Sequence, residues 1–169
     1  MAIAASDIKL RLSGGSGNSD TNASLGGVKS STEVVDATLH NLFDLVSGAE
    51  MAAGDIEYRC IYIHNGHGSL TAEGCAVYID ANTPSTDTVA AIGLGTAAVN
   101  ATEQTVANES TAPSGVSFTE TVGSGAALSI GNIPFGQHKA LWIRRTVTAG
   151  GSAYSNDSLG ITITFDTAP

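Results

Sequence analysis

This chain is short of charge. Lys, Arg, Asp and Glu together make up 14% of its 169 residues, so long solvated side chains cover little of its surface. Aromatic residues are scarce too, at 5%, which leaves small and β-branched side chains to fill most of an interior. Basic residues number 7 against 16 acidic, and none falls between Arg59 and Lys139. That interval carries Glu73, Asp80, Asp87, Glu103, Glu109 and Glu120, and the formal net charge is −9. A chain of this sign repels phosphate backbones and anionic headgroups, so neither a nucleic acid nor a membrane is an expected partner. No apolar run approaches the ~20 residues that span a bilayer. The stretch from Met1 to Asp7 lacks a basic segment followed by an apolar core, so no secretory signal is read there.

Motifs that carry chemistry are also missing. The two cysteines, Cys60 and Cys75, lie inside apolar runs, where burial disfavours the thiolate. They are expected to pack as small free thiols, even though a hairpin reading sets them near one another. Gly14-Gly15-Ser16-Gly17 is glycine-rich but lacks the Lys-Ser/Thr of a phosphate-binding loop. No Gly-x-Ser-x-Gly elbow is present. His64 and His67 flank a turn, yet two imidazoles fall short of the three or four converging ligands a metal needs. They read as solvent-exposed turn histidines. Glu50, Asp55, Glu57, Asp80 and Asp87 offer oxygens without the spacing of a calcium loop. No catalytic residue, cofactor or metal is expected, and the chain does not read as an enzyme.

What is present is strand after strand. In Tyr58-Arg59-Cys60-Ile61-Tyr62-Ile63, apolar residues occupy both faces, with Ile56, Tyr58, Cys60 and Tyr62 on one and Ile61 and Ile63 on the other. A strand covered on both sides belongs in the middle of a packed β domain. Cys75-Ala76-Val77-Tyr78-Ile79 follows beyond Asn65-Gly66-His67-Gly68, which reads as a hairpin turn. Ala90–Gly95, Val116–Thr119, Leu128–Ile130, Ala140–Val147 and Leu159–Phe165 supply further strands. The last alternates cleanly, with Ile161, Ile163 and Phe165 inward. This spacing predicts an all-β fold, an antiparallel β-sandwich or jelly roll over residues 34–169.

Before it, residues 1–33 read as an alternating strand, Ile8-Lys9-Leu10-Arg11-Leu12, and a Gly/Ser-rich stretch with little apolar surface to bury. Such a segment is expected to be a mobile terminus or a flexible arm that orders against a neighbour. Two other regions resist assignment. Between 34 and 50, helical spacing competes with β-branched residues, Ser47-Gly48 reads as a stop, and Asn41-Leu42-Phe43-Asp44 reads as a short strand or turn plugging the core. Residues 95–115 read as a long structureless loop, the kind that often binds. Arg144 and Arg145 must point to opposite faces of their strand. An internal carboxylate, Glu57 or Asp55, is one expected partner for an arginine there, and a subunit contact the other. Trp142 is expected to be buried, in the core or between subunits.

Three segments together carry a resemblance. Asn41-Leu42-Phe43-Asp44, Gly54–Asn65 and Ala140-Leu141-Trp142-Ile143-Arg144-Arg145 resemble small virion proteins encoded among the structural genes of tailed bacteriophages. In particular, the chain looks like a capsid decoration (cement) protein. That resemblance implies a non-enzymatic protein on the virion's capsid surface, synthesised in the host cytoplasm. It also implies a homo-oligomer, dimer or trimer, that binds the major capsid protein and holds neighbouring capsid subunits together. The candidate partner-interface residues are then Ile8, Lys9, Leu10, Arg11, Leu12 and Lys29 of the arm, with Arg144 and Arg145. The alternative is a tail, baseplate or fibre part that contacts a host surface through residues 82–115.

Overall fold

The structure, a computed structural model, describes residues 2–167. In chain order its strands are β1 (Ile8–Leu12), β2 (Gly26–Gly27), β3 (Asp55–Asn65), β4 (Ala72–Ala81), β5 (Thr88–Leu94), β6 (Glu103–Thr105), β7 (Leu128–Ile133), β8 (His138–Val147) and β9 (Gly160–Thr167), with a short α-helix, α1 (Gly48–Ala53), and three single 3-10 turns. The fold is all-β, with 39% of residues in strands, and every strand pairing between these elements is antiparallel. A four-stranded sheet runs β1-β3-β8-β5, a three-stranded sheet runs β7-β4-β9, and β2 pairs with β6.

Burial explains the arrangement. Ile61, Ile63, Ile92, Leu141 and Ile143 of the four-stranded sheet meet Ala72, Cys75, Val77, Ile79 and Ile133 of the three-stranded sheet in one cluster. Apolar area removed from water is the main favourable term, and each of these side chains gives up nearly all of its exposure. Leu42 joins the same cluster from an irregular segment, and Phe43 packs against it, so residues 41–44 do plug the core. They do so as a bend, not a strand.

The other face of the four-stranded sheet is buried as well. Tyr58, Cys60, Tyr62, Ala140 and Trp142 form a second cluster, closed over by Val106 with Leu25, Val116 and Phe118. Two segments make this roof, residues 13–30 and 103–118. They are tied down by backbone: Cys60 N–H donates to Ser24 O (2.8 Å), Tyr58 N–H to Glu109 O (2.7 Å) and Val106 N–H to Leu25 O (2.9 Å). Gly93 lets the roof lie close, because a Cβ there would sit 2.6 Å from Val116 Cγ1 and 2.7 Å from Ser117 O. Along β3, Tyr58, Cys60 and Tyr62 turn to the roof and Ile61 and Ile63 to the shared core, as the sequence pattern predicts, while Ile56, read with the first set, is exposed.

Several expectations need correction. β3 and β4 are not a hairpin: they belong to different sheets, and the chain crosses from one to the other between Asn65 and Ala72. Cys60 and Cys75 consequently lie in different clusters, both as free thiols. Residues 13–33 are not an extended arm, since they are hydrogen-bonded into the roof and along the outer edge of β1. Residues 95–115 are not structureless; they contain β6 and bury Val106 and Glu103. Val116–Thr119 forms no strand and contributes one bridge, Thr119 to Ile92. Ser47 starts a helix where a stop was read: its Oγ accepts from Glu50 N–H (3.3 Å), and Glu50 Oε2 accepts from Ser47 N–H (2.6 Å). That reciprocal pair is a capping box.

Candidate interaction surface

The register of the four-stranded sheet gathers positive charge at one corner. Lys9 lies opposite His64, Arg11 opposite Tyr62, and His64 opposite His138. Residues directly opposite on antiparallel strands share a face, so all five project to the roof side. Lys29 arrives there from the roof, two residues beyond β2. The arrangement is held by Tyr62, whose hydroxyl donates to Gly27 O (2.5 Å) and accepts from Glu103 N–H (3.0 Å). Its ring meets His138 edge-on, with centroids 4.7 Å apart. Burial pushes the Tyr62 phenol up to about 12, so it stays a neutral clamp.

The electrostatics of the corner are self-opposing. Burial, reinforced by Arg11, lowers the Lys29 ammonium. Burial lowers His64, again reinforced by Lys29 and Arg11, although a contact with Gln137 O opposes the shift. His138 is lowered to about 4 by burial, Lys29 and His64. Two polar atoms are buried there without a partner among the described residues, Arg11 Nε and His138 Nδ1. Arg11 Nη1 donates to Ser31 O, and Lys29 Nζ reaches only Ser30 O at 3.5 Å. Among the described residues, only Lys9 of these cations has a carboxylate, Glu33 at 3.1 Å.

Elsewhere the basic residues are accounted for. Arg145 lies on the core-facing side and donates through Nε to Glu57 Oε2 (2.5 Å) and through Nη1 to Asp44 O (2.8 Å), its guanidinium 4.8 Å from the Phe43 ring centre. Arg59, fully buried, bonds Glu109 (2.6 Å) and Asn22 (2.9 Å). Burial pushes the Glu57 carboxyl up, and the neighbouring Arg145 and Arg59 oppose that shift. Arg144 faces the roof, paired with Glu120 and stacked near Phe118. Lys139 donates to Gly95 O (2.8 Å) and to Ala97 O (2.5 Å).

Of the residues singled out in the sequence, the structure brings together Lys9, Arg11 and Lys29. Ile8, Leu10 and Leu12 point the other way and pack on the shared core. Arg144 and Arg145 lie apart, each with an internal carboxylate. His64 and His138 were missed as members of this corner. His64 is a half-buried strand residue, not a turn histidine, and its even number places it with Tyr62. Nothing local marks His138, because only the β3–β8 register brings it to His64. His67 does sit in the loop, its Nδ1 accepting from Ser69 N–H (3.1 Å) and Leu70 N–H (3.0 Å). Among the described residues no three His, Cys, Asp or Glu side chains converge as a metal site requires. Comparisons with family models, with curated proteins and with solved structures return no match to this chain.

Proposed function

We propose that this chain is a non-enzymatic virion structural protein, a decoration (cement) protein that docks on major capsid subunits through its basic corner. The observation that carries the docking surface is the concentration of uncompensated cations in a chain of net charge −9. Four of the seven Lys and Arg residues, Lys9, Arg59, Arg144 and Arg145, are ion-paired; Arg11 and Lys29 stand together without a carboxylate among the described residues. Like charges held side by side against burial raise the energy of the free protein. An acidic group on a partner would relieve that, and charge complementarity of this kind also sets orientation and encounter rate. The resemblance of residues 41–44, 54–65 and 140–145 to tailed-phage virion proteins supports the choice of partner. The antiparallel sheets packed on one core support the reading too, as a stiff block loses little conformational entropy on binding.

Binding only to the assembled shell would stabilise that shell by mass action. The test is co-sedimentation with expanded phage heads stripped of accessory proteins. Saturable binding at a fixed ratio per capsomer is expected, with affinity falling at least tenfold in R11E/K29E. Removing residues 1–29 is a poor substitute, because it strips half the roof and the buried Leu12. Equal binding by R11E/K29E would remove the basic corner from the interface. No binding by the native chain, with the protein found in tail fractions, would overturn the decoration reading in favour of a tail or baseplate part.

A further inference from the structure

Edges of sheets offer unpaired backbone groups, and proteins usually cover or blunt them. Both edges of the four-stranded sheet are covered. Along β1, Leu12 N–H donates to Thr32 O (3.0 Å), Ser30 N–H to Leu12 O (2.8 Å) and Val34 N–H to Leu10 O (2.9 Å). Along β5, Ile92 and Thr119 exchange both backbone bonds, at 3.0 and 2.9 Å. The Asn82 side chain satisfies both backbone groups of Ala90. In the three-stranded sheet, β7 is short and broken by Gly131 at φ 84°, a kink that spoils further pairing.

β9 is covered far less: among the described residues only Ile3 N–H reaches it, at its last residue, through the Thr167 side chain (3.2 Å). It runs for 8 residues, pairs with β4 on one side, and has no strand partner on the other among the described residues. The two irregularities in its pairing each insert the additional residue into β4, so β9 itself is unbroken. It contains no Lys, Arg or Pro, and its one charge is Asp166. Ile161, Ile163 and Phe165 face the shared core but remain partly exposed, so burial along this edge is incomplete.

We propose that β9 pairs with β9 of a second copy of this chain, antiparallel about a two-fold axis centred on Ile163, to give one continuous sheet. The occupant follows from self-complementarity. That register sets Ile163 against Ile163, Ile161 against Phe165, Thr162 against Thr164, and Asp166 against Gly160. Apolar residues meet apolar residues on the core face, threonines meet on the outer face, and the carboxylates never oppose each other. Such cross-strand pairs are the unit of sheet stabilisation. A two-fold contact of one patch with itself also closes at two copies. The pairing lies on a different sheet from the basic corner and does not depend on what the corner binds.

The experiment is the solution mass of the full chain by sedimentation equilibrium, alongside T162K/T164K. Both substitutions sit on the outer face of β9 and would set lysine against lysine twice across the two-fold. The native chain is expected at the mass of two copies at micromolar concentration. The double variant should be a single copy with an unchanged far-ultraviolet circular dichroism spectrum, its dissociation constant raised at least a hundredfold. A native mass of one copy at every concentration, a mass of three or more, or an equally dimeric variant would each overturn the proposal. Should the variant fail to fold, hydrogen exchange on the native chain decides. Amides of 160–167 must lose protection on dilution while those of β4 keep theirs, and concentration-independent exchange would overturn the pairing. Head binding is read separately, so either proposal can fail alone.

Discussion

The two sheets share one core and differ in what lies on their outer faces. The four-stranded sheet carries a second apolar cluster under a roof; the three-stranded sheet shows water Ser129, Thr164 and Asp166. The sequence registers the difference as two kinds of strand. β3 and β8 have apolar residues on both sides, while β9 alternates. What covers the doubly apolar sheet is not another apolar layer but mainly glycine, serine and small residues. Their backbone groups bond the edge of β3 and one another. A roof of low hydrophobicity can therefore seal a face, provided a few large side chains beneath it do the burying.

Trp142 is the largest of those, and fully buried. Trp142→Ala is expected to lower unfolding free energy by about 3–5 kcal/mol, the range for removing a large aromatic from a packed interior. Denaturant unfolding followed by far-ultraviolet circular dichroism measures it. A loss below about 1 kcal/mol would mean that the roof is loose and that this face resembles the other sheet's.

The parts of this design that were legible are those decided locally. The two-sided burial of β3 follows from the identities of Tyr58 to Ile63, and an internal carboxylate for an arginine of the 144–145 pair, Glu57 or Asp55, was one of two readings an acidic chain offered; the β3–β8 register selects Glu57 for Arg145. Pairing was not local. Asn65-Gly66 has the composition of a hairpin turn, but Asn65 is buried and its side chain donates to Leu70 O and Ile133 O, both at 2.9 Å. Those bonds hold a crossing between sheets, and no residue near the turn distinguishes it from a hairpin. The roof was illegible for a related reason. Ser13, Ser24 and Ser30 read as linker residues, yet all three are fully buried. At the candidate surface, Lys9, Arg11 and Lys29 could be picked out as the rare cations of the N-terminal third. The histidines that join them required the register of β3 against β1 and β8.

That corner gives the roofed sheet a pH dependence. His138 falls from its usual 6.5 to about 4 because burial and the Lys29 and His64 charges disfavour its protonated form. A group held below its unfolded value takes up its proton more readily when unfolded. Its contribution to stability is therefore complete above pH 6.5 and lost as pH falls through about 4. Allowing for solvent screening at a half-exposed ring, the loss is about 2 kcal/mol. Unfolding free energy measured between pH 7 and 4 should show it, and His138→Gln should flatten the slope, leaving the share of His64 and the opposing share of Glu57, whose raised carboxyl favours folding at the acid end. An unchanged slope in that variant would assign the acid sensitivity elsewhere.

The smallest effect sharpens the comparison most, because it uses one chemical change on both sheets. Ser13 is fully buried within the roof, and its Oγ accepts from Gly26 N–H at 3.0 Å. Ser129 on β7 lies opposite Ala76 on the outer face of the three-stranded sheet, exposed to water. Ser13→Ala leaves a buried donor without a partner, a loss of about 1 kcal/mol. Ser129→Ala exchanges one solvated surface for another and should stay within about 0.5 kcal/mol of zero. Parallel thermal unfolding of the two variants reads the difference directly. Equal losses would mean that water reaches Gly26 as freely as it reaches Ser129. The roof would then be a lid over the Tyr58–Trp142 cluster and no third layer of the fold.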